Sequence, residues 1–93
     1  LEDIAVIVDE AVPAARVEEV IRKAGGRTLS GRNRIALFDS YRGAQIGEGK
    51  KSLAYNLVYQ SDDHTLTDNE VEKIRRKIIR MLEQELNATL RGA

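Results

Sequence analysis

The chain has 93 residues, in which 15 Lys and Arg balance 15 Asp and Glu for a formal net charge of zero. Apolar residues at 42% and charged residues at 32% suit one globular domain with a modest core and exclude a disordered tail. The absence of Cys excludes a disulfide framework, a thiolate nucleophile and Cys-ligated zinc, and it fits a cytoplasmic protein.

The first element is the near-continuous β-branched run Asp3 to Asp9, bounded by acids, which predicts a buried strand. Pro13 then opens a helix, where its missing N–H costs nothing. Val17, Val20, Ile21 and Ala24 form its apolar stripe, and Gly25-Gly26 supplies the stop. Arg27 to Ser30 is expected to begin the second strand, with Gly31 to Arg34 as a bulge or turn and Ile35 to Tyr41 as its clearer part. Gly43, Gly47 and Gly49 mark a flexible connection. Lys50 to Gln60 reads as the third strand, with Leu53, Tyr55, Leu57 and Tyr59 on one face and Ser52, Ala54, Asn56 and Val58 on the other. The second helix is the best marked. Thr67 and Glu70 form a T-x-x-E capping box, with Leu66 and Val71 as its hydrophobic staple. Val71, Ile74, Ile78, Leu82 and Leu86 make its core stripe, and Lys73, Arg76, Lys77 and Arg80 lie on its exposed face. Asn87 ends the helix, and Ala88 to Arg91 is a last short strand.

The order βαββαβ gives an α+β, ferredoxin-like plait, a four-stranded antiparallel sheet with two helices on one face. The other sheet face stays open unless something covers it, so it is the place to look for function. If Phe38, the only Phe, anchors the core, then Asp39 and Tyr41 face the open side. Ser52 and Asn56 join them from the third strand, and Arg42, Lys50 and Lys51 rim the group. A ring to stack a base, short polar groups to read its edge and cations for phosphates suit a single-stranded nucleic acid. The same residues also describe a Tyr at a sheet edge with its hydroxyl in water.

Charge is strongly blocked along the chain. Residues 1–19 carry six acids and one base, residues 22–51 eight bases and two acids, residues 52–72 five acids, and residues 73–80 five bases. Such blocks can build a surface that attracts phosphates, but folded neighbours can also cancel them. No Ser–His–Asp or paired-carboxylate arrangement is visible, so the domain is read as non-catalytic. Gly43 to Ser52 misses the Walker A spacing and leads into a strand, not a helix. His64, the only His, sits in a polar turn without a ligand set. No apolar run approaches the roughly 18 residues of a membrane span, and no leader peptide is visible. Leu1 opens the chain without Met, directly ahead of a strand pattern, so residues 1–93 are expected to be one domain of a longer protein.

Leu37-Phe38-Asp39-Ser40-Tyr41-Arg42-Gly43, Ile46, and Gly49-Lys50-Lys51-Ser52-Leu53-Ala54-Tyr55 together resemble the ferredoxin-fold anticodon-binding domain that ends the β subunit of bacterial phenylalanine–tRNA ligase. Thr65 to Val71 is similar to the family's helix start, and Pro13, Gly25-Gly26 and Leu90-Arg91 match as well. The resemblance spans essentially the whole chain. Two features depart from it: the Ser30 to Arg34 connection is longer than usual, and His64 stands where the family usually has Arg.

The resemblance implies that the sheet side holds the anticodon stem-loop of the phenylalanine tRNA. Tyr41 would then stack on the first anticodon base, Asp39 and Ser52 would hydrogen-bond to that base or its sugar, and Ala24 would lie near the same nucleotide. Arg42, Lys50 and Lys51 are added on their charge, as phosphate partners. It further implies a cytoplasmic parent enzyme of two α and two β subunits that uses ATP and magnesium. The domain itself would hold no cofactor and make no membrane contact. A general single-stranded RNA binder and a protein-interaction plait remain the alternatives.

Overall fold

The computed structural model describes residues 2–91, in the order β1 (Glu2–Asp9), α1 (Ala14–Gly25), a 3₁₀ turn (Gly26–Leu29), β2 (Ile35–Tyr41), β3 (Lys50–Leu57), α2 (Asp68–Leu86) and β4 (Thr89–Leu90). The strands form one sheet in the order β2-β3-β1-β4, and every neighbouring pair is antiparallel. This is the ferredoxin-like plait.

Ile4, Val6 and Val8 of β1 and Leu53, Tyr55 and Leu57 of β3 point to one side, where they pack with Val17, Val20 and Ile21 of α1 and Ile78 and Leu82 of α2. Removing each of these side chains from water stabilises the fold by about 1.5–3 kcal/mol. Both helices therefore cover the same sheet face. On β1 the alternate residues Ala5 and Ile7 are only half-buried, because they belong to the other face. Among the described residues no helix is long and apolar enough to cross a membrane.

The helix boundaries follow their local chemistry. Pro13 is the N-cap of α1 in extended geometry, and its carbonyl accepts from Arg16 and Val17. Gly26 ends the helix at φ 59°, a conformation that a residue without Cβ adopts freely. Thr67 and Glu70 make the reciprocal capping box of α2, and Asn87 closes that helix in the left-handed conformation at φ 54°.

The segment Arg27 to Ser30 corrects an expectation, since it forms a 3₁₀ turn and not the start of a strand. Its hydroxyl side chains bond locally: Thr28 Oγ1 donates to the Gly25 carbonyl at 2.6 Å and Ser30 Oγ to the Arg27 carbonyl at 3.1 Å. Such bonds compete with a strand ladder. Leu29 is driven fully into the core, and Arg22 donates to the Leu29 and Gly31 carbonyls at 2.7 and 3.1 Å. The connection from Ser30 to Arg34 is thereby tied to α1. The third strand also stops at Leu57, short of Gln60. Beyond it the Gln60 N–H turns to the Thr28 carbonyl at 3.0 Å.

Candidate nucleic-acid interface

Sheet register decides which β2 residues reach the open face. Ile35 and Leu37 pair with Leu57 and Tyr55 of the helix-facing row. A β-bulge then skips one residue, so Asp39 pairs with Ala54 and Tyr41 with Ser52, both of the opposite row. Asp39 and Tyr41 therefore lie on the open side, as expected, but for another reason. Phe38 is not a core anchor: it is the extra residue of the bulge and 53% exposed. Strict alternation would have kept Ile35, Leu37, Asp39 and Tyr41 on one side, whereas Ile35 is in the core.

Ser52 sits opposite both Ile7 and Tyr41 and is buried at 3% exposure. What covers it is Arg91, just past β4. The Arg91 N–H donates to the Ala5 carbonyl at 2.8 Å, and its side chain donates to Ser52 Oγ at 3.3 Å. The Arg91 guanidinium carbon stands 5.1 Å from the centroid of the Tyr41 ring, a cation–π arrangement. Tyr41 of β2, Ser52 of β3 and Arg91 just past β4 thus meet in one cluster. Gly43 runs close to it, since a Cβ there would come within 2.5 Å of the Tyr41 hydroxyl oxygen. Asn56, further along the same face, donates to Asp3.

The expected rim cations are arranged differently. Arg42 donates through Nε to both Glu10 carboxylate oxygens, at 2.8 and 2.7 Å. That hydrogen bond holds the Glu10 carboxyl below its usual range and raises Arg42. Lys50 pairs with Asp9 at 2.5 Å. Lys51 lies in the helix-facing row opposite Val8 and is only 8% exposed, so it is not brought into the cluster. Ala24 is also apart: it is a core residue of α1, behind the sheet, with its methyl group packed and no surface to offer on the open face. Arg32 and Arg34 lie ahead of β2, at the opposite end of that strand from Tyr41.

Arg91 was the residue that sequence reasoning passed over. It stands alone in the tail, and only the pairing of β4 with β1 carries it to Ser52. The one available signal was the Leu90-Arg91 match at the chain's end.

A cleft of about 650 Å³ lies at the far end of the sheet, lined by Glu2, Tyr59, His64, Leu66 and Arg75 among others. Its polar groups pair with each other: Tyr59 donates to Glu2 at 2.9 Å, and Arg75 faces the second Glu2 oxygen at 3.4 Å. His64 is not a free turn residue, because its two ring nitrogens meet Asp63 at 2.6 Å and Glu70 at 2.8 Å.

Residues 1–91 match the family described as the ferredoxin-fold anticodon binding domain. Proteins named phenylalanine–tRNA ligase beta subunit match as well. The one from Moorella thermoacetica is 55% identical over 96% of this chain and 11% of its own length. That from Clostridium tetani is 49% identical with the same coverage, and that from Bacillus subtilis 41% identical over 97% of this chain and 11% of its own. The chain spans about a tenth of the length of these relatives. On this match, and with a fold that agrees, the chain belongs to the ferredoxin-fold anticodon-binding domain family.

Proposed function

We propose that the open sheet face binds the anticodon stem-loop of the phenylalanine tRNA and so positions that tRNA for aminoacylation catalysed elsewhere in a longer β subunit. The observation that carries this reading is the cluster itself. In a member of an anticodon-binding family, Tyr41 of β2, Ser52 of β3 and Arg91 just past β4 converge on the face the helices leave uncovered. A ring for stacking and a guanidinium, held in place by the buried Ser52 hydroxyl, suit a single-stranded loop. Asp39, two residues from Tyr41 in the same row, adds an acceptor for base N–H groups.

The parent would be a phenylalanine–tRNA ligase that uses ATP and magnesium, with an α subunit as partner, working in the cytoplasm. The domain contributes recognition to it and no bond-making step.

The test is an NMR titration of the labelled chain with the phenylalanine tRNA anticodon stem-loop, alongside one with a scrambled anticodon. Shifts that cluster on Asp39, Tyr41 and Ser52 for the cognate loop alone are expected. Equal shifts with both loops would replace the reading by a general single-stranded RNA binder. No shift at low salt, together with a sedimentation mass twice that of the chain, would replace it by a protein-interaction plait.

A further inference from the structure

We infer that Arg91 is a further RNA-binding residue, which stays stacked on one face of Tyr41 and pairs with the phosphate of the nucleotide that the ring receives. The inference rests on the anticodon-binding reading above and adds to it the cation that the reading lacks.

Charge pairing singles this residue out. Of the cations beside the cluster in sequence, Lys51 is buried in the helix-facing row, while Arg42 is engaged with Glu10 and Lys50 with Asp9. A phosphate that took either one would break an ion pair and come to rest beside the released carboxylate. Among the described residues Arg91 has no carboxylate within ion-pair distance, and its guanidinium already lies over the ring.

Donor geometry agrees. A guanidinium carries five N–H groups in a rigid plane. Among the described residues the Arg91 side chain uses one nitrogen, toward Ser52 at 3.3 Å, which leaves the rest of the fork for phosphate oxygens. The backbone is fixed at the same point by the bond from the Arg91 N–H to the Ala5 carbonyl. The side chain therefore projects from a held position, and little ordering is needed when RNA arrives. Stacking and charge act through the same group here, so Lys cannot fully replace it.

The experiment is equilibrium binding of the cognate stem-loop by wild type, Arg91→Ala, Arg91→Gln and Arg91→Lys across a KCl series, with an NMR spectrum of each variant as the check on folding. Arg91→Ala and Arg91→Gln should each lose about tenfold in affinity. Both should also flatten the plot of log K against log salt by about 0.7, the value of one single-strand phosphate contact. Arg91→Lys should keep the wild-type slope while losing a few-fold in affinity, because the charge remains and the planar stack does not.

Arg91→Gln keeps most of the stem, so it decides the matter if Arg91→Ala does not fold. Affinities within twofold of wild type in the neutral variants would overturn the inference, as would equal slopes in all four proteins. A wild type that does not prefer the cognate over a scrambled loop would overturn the anticodon reading, and the inference with it. The two failures are therefore distinguishable.

Discussion

Tyr41 borders a backbone that leaves it no slack. A Cβ built on Gly43 would sit 2.5 Å from the Tyr41 hydroxyl oxygen and 2.9 Å from the carbon that bears it. Gly43→Ala must therefore push the ring aside, which is cheap for a flexible side chain but costly for a stacking platform. We expect that variant to melt within a few degrees of wild type while binding the stem-loop several-fold more weakly. Unchanged binding would mean that the ring position does not matter. Tyr41→Ala should cost about 1–3 kcal/mol of binding from lost base stacking, and Tyr41→Phe should keep most of it because the ring face does the stacking. Titrating the same stem-loop into both variants checks this. The open-face position of Asp39, Tyr41 and Ser52 was legible in the sequence, and it emerged despite a wrong premise about Phe38. Nothing in the run from Ile35 to Tyr41 marks a bulge: no Gly or Pro lies within it, so strict alternation was the only available assumption. Ala24 and Lys51 differ in kind, since the burial of a side chain at a helix end or strand end depends on what packs over it.

Whole elements were more legible, because each carries its own stop and start chemistry. The α2 start was readable down to its hydrogen bonds, yet His64 adds a clip that periodicity does not reveal. Both of its ring nitrogens face carboxylates, and only the imidazolium can donate to two acceptors. Its hydrogen bonds to Glu70 and then Asp63 raise His64 above the ordinary value of 6.5. Glu70, held chiefly by the Thr67 backbone N–H and next by His64, lies below its ordinary 4.5, and Asp63, held by Ser61 and His64, lies below 3.8. The His64 contribution is thus complete below pH 6.5 and fades as pH rises through its raised folded value. The carboxylate contributions are complete above 4.5 and fade as pH falls through their lowered folded values. Urea midpoints should accordingly be highest between about pH 4.5 and 6.5 and decline toward alkaline pH in wild type. Glu2, Asp68 and Arg75 line the same cleft, and His64 is the group whose raised value produces the alkaline limb, so His64→Gln should remove that decline. An alkaline limb identical in the two proteins would dismiss the clip. The turn after α1 yields a second expectation at this scale. Replacing a helical Gly by Ala ordinarily stabilises a helix by roughly 0.5–1 kcal/mol. At Gly25 the sign should reverse, because a Cβ there would lie 2.4 to 2.9 Å from three atoms of the fully buried Leu29. Gly25→Ala should therefore destabilise by about 1–3 kcal/mol, as overpacking does. A calorimetric melt at or above the wild-type temperature would show that Leu29 can yield.

Across the whole molecule, the blocks of charge along the sequence turn into pairs in space. Asp9 and Glu10 of the acidic first segment take up Lys50 and Arg42 of the basic second one, and Glu2 takes up Arg75 from α2. The sequence left open whether its blocks would gather phosphates or cancel, and sheet pairing of β1 with β3 settles much of that in favour of cancellation. A further basic surface, Lys73, Arg76, Lys77 and Arg80, of which Arg76 pairs with Glu72, is carried by α2, behind the sheet. A chain of zero net charge with this arrangement should bind RNA by contact chemistry more than by long-range attraction. Each single-strand phosphate contact adds about −0.7 to the slope of log K against log salt. With Arg91 unpaired among the described residues and Arg42 and Lys50 held by acids, the slope for the stem-loop should lie between about −0.7, for Arg91 alone, and about −2, for all three, shallow beside that of a strongly basic RNA binder. A slope steeper than about −4 would require more phosphate contacts than the open face can supply. It would draw the α2 face into the interface and move the site from the sheet toward the helices. The sharper check is therefore to repeat the series with Lys73 and Lys77 both changed to Gln. On the sheet-face reading that double variant keeps the wild-type slope, since neither side chain belongs to the surface where Tyr41 and Arg91 meet.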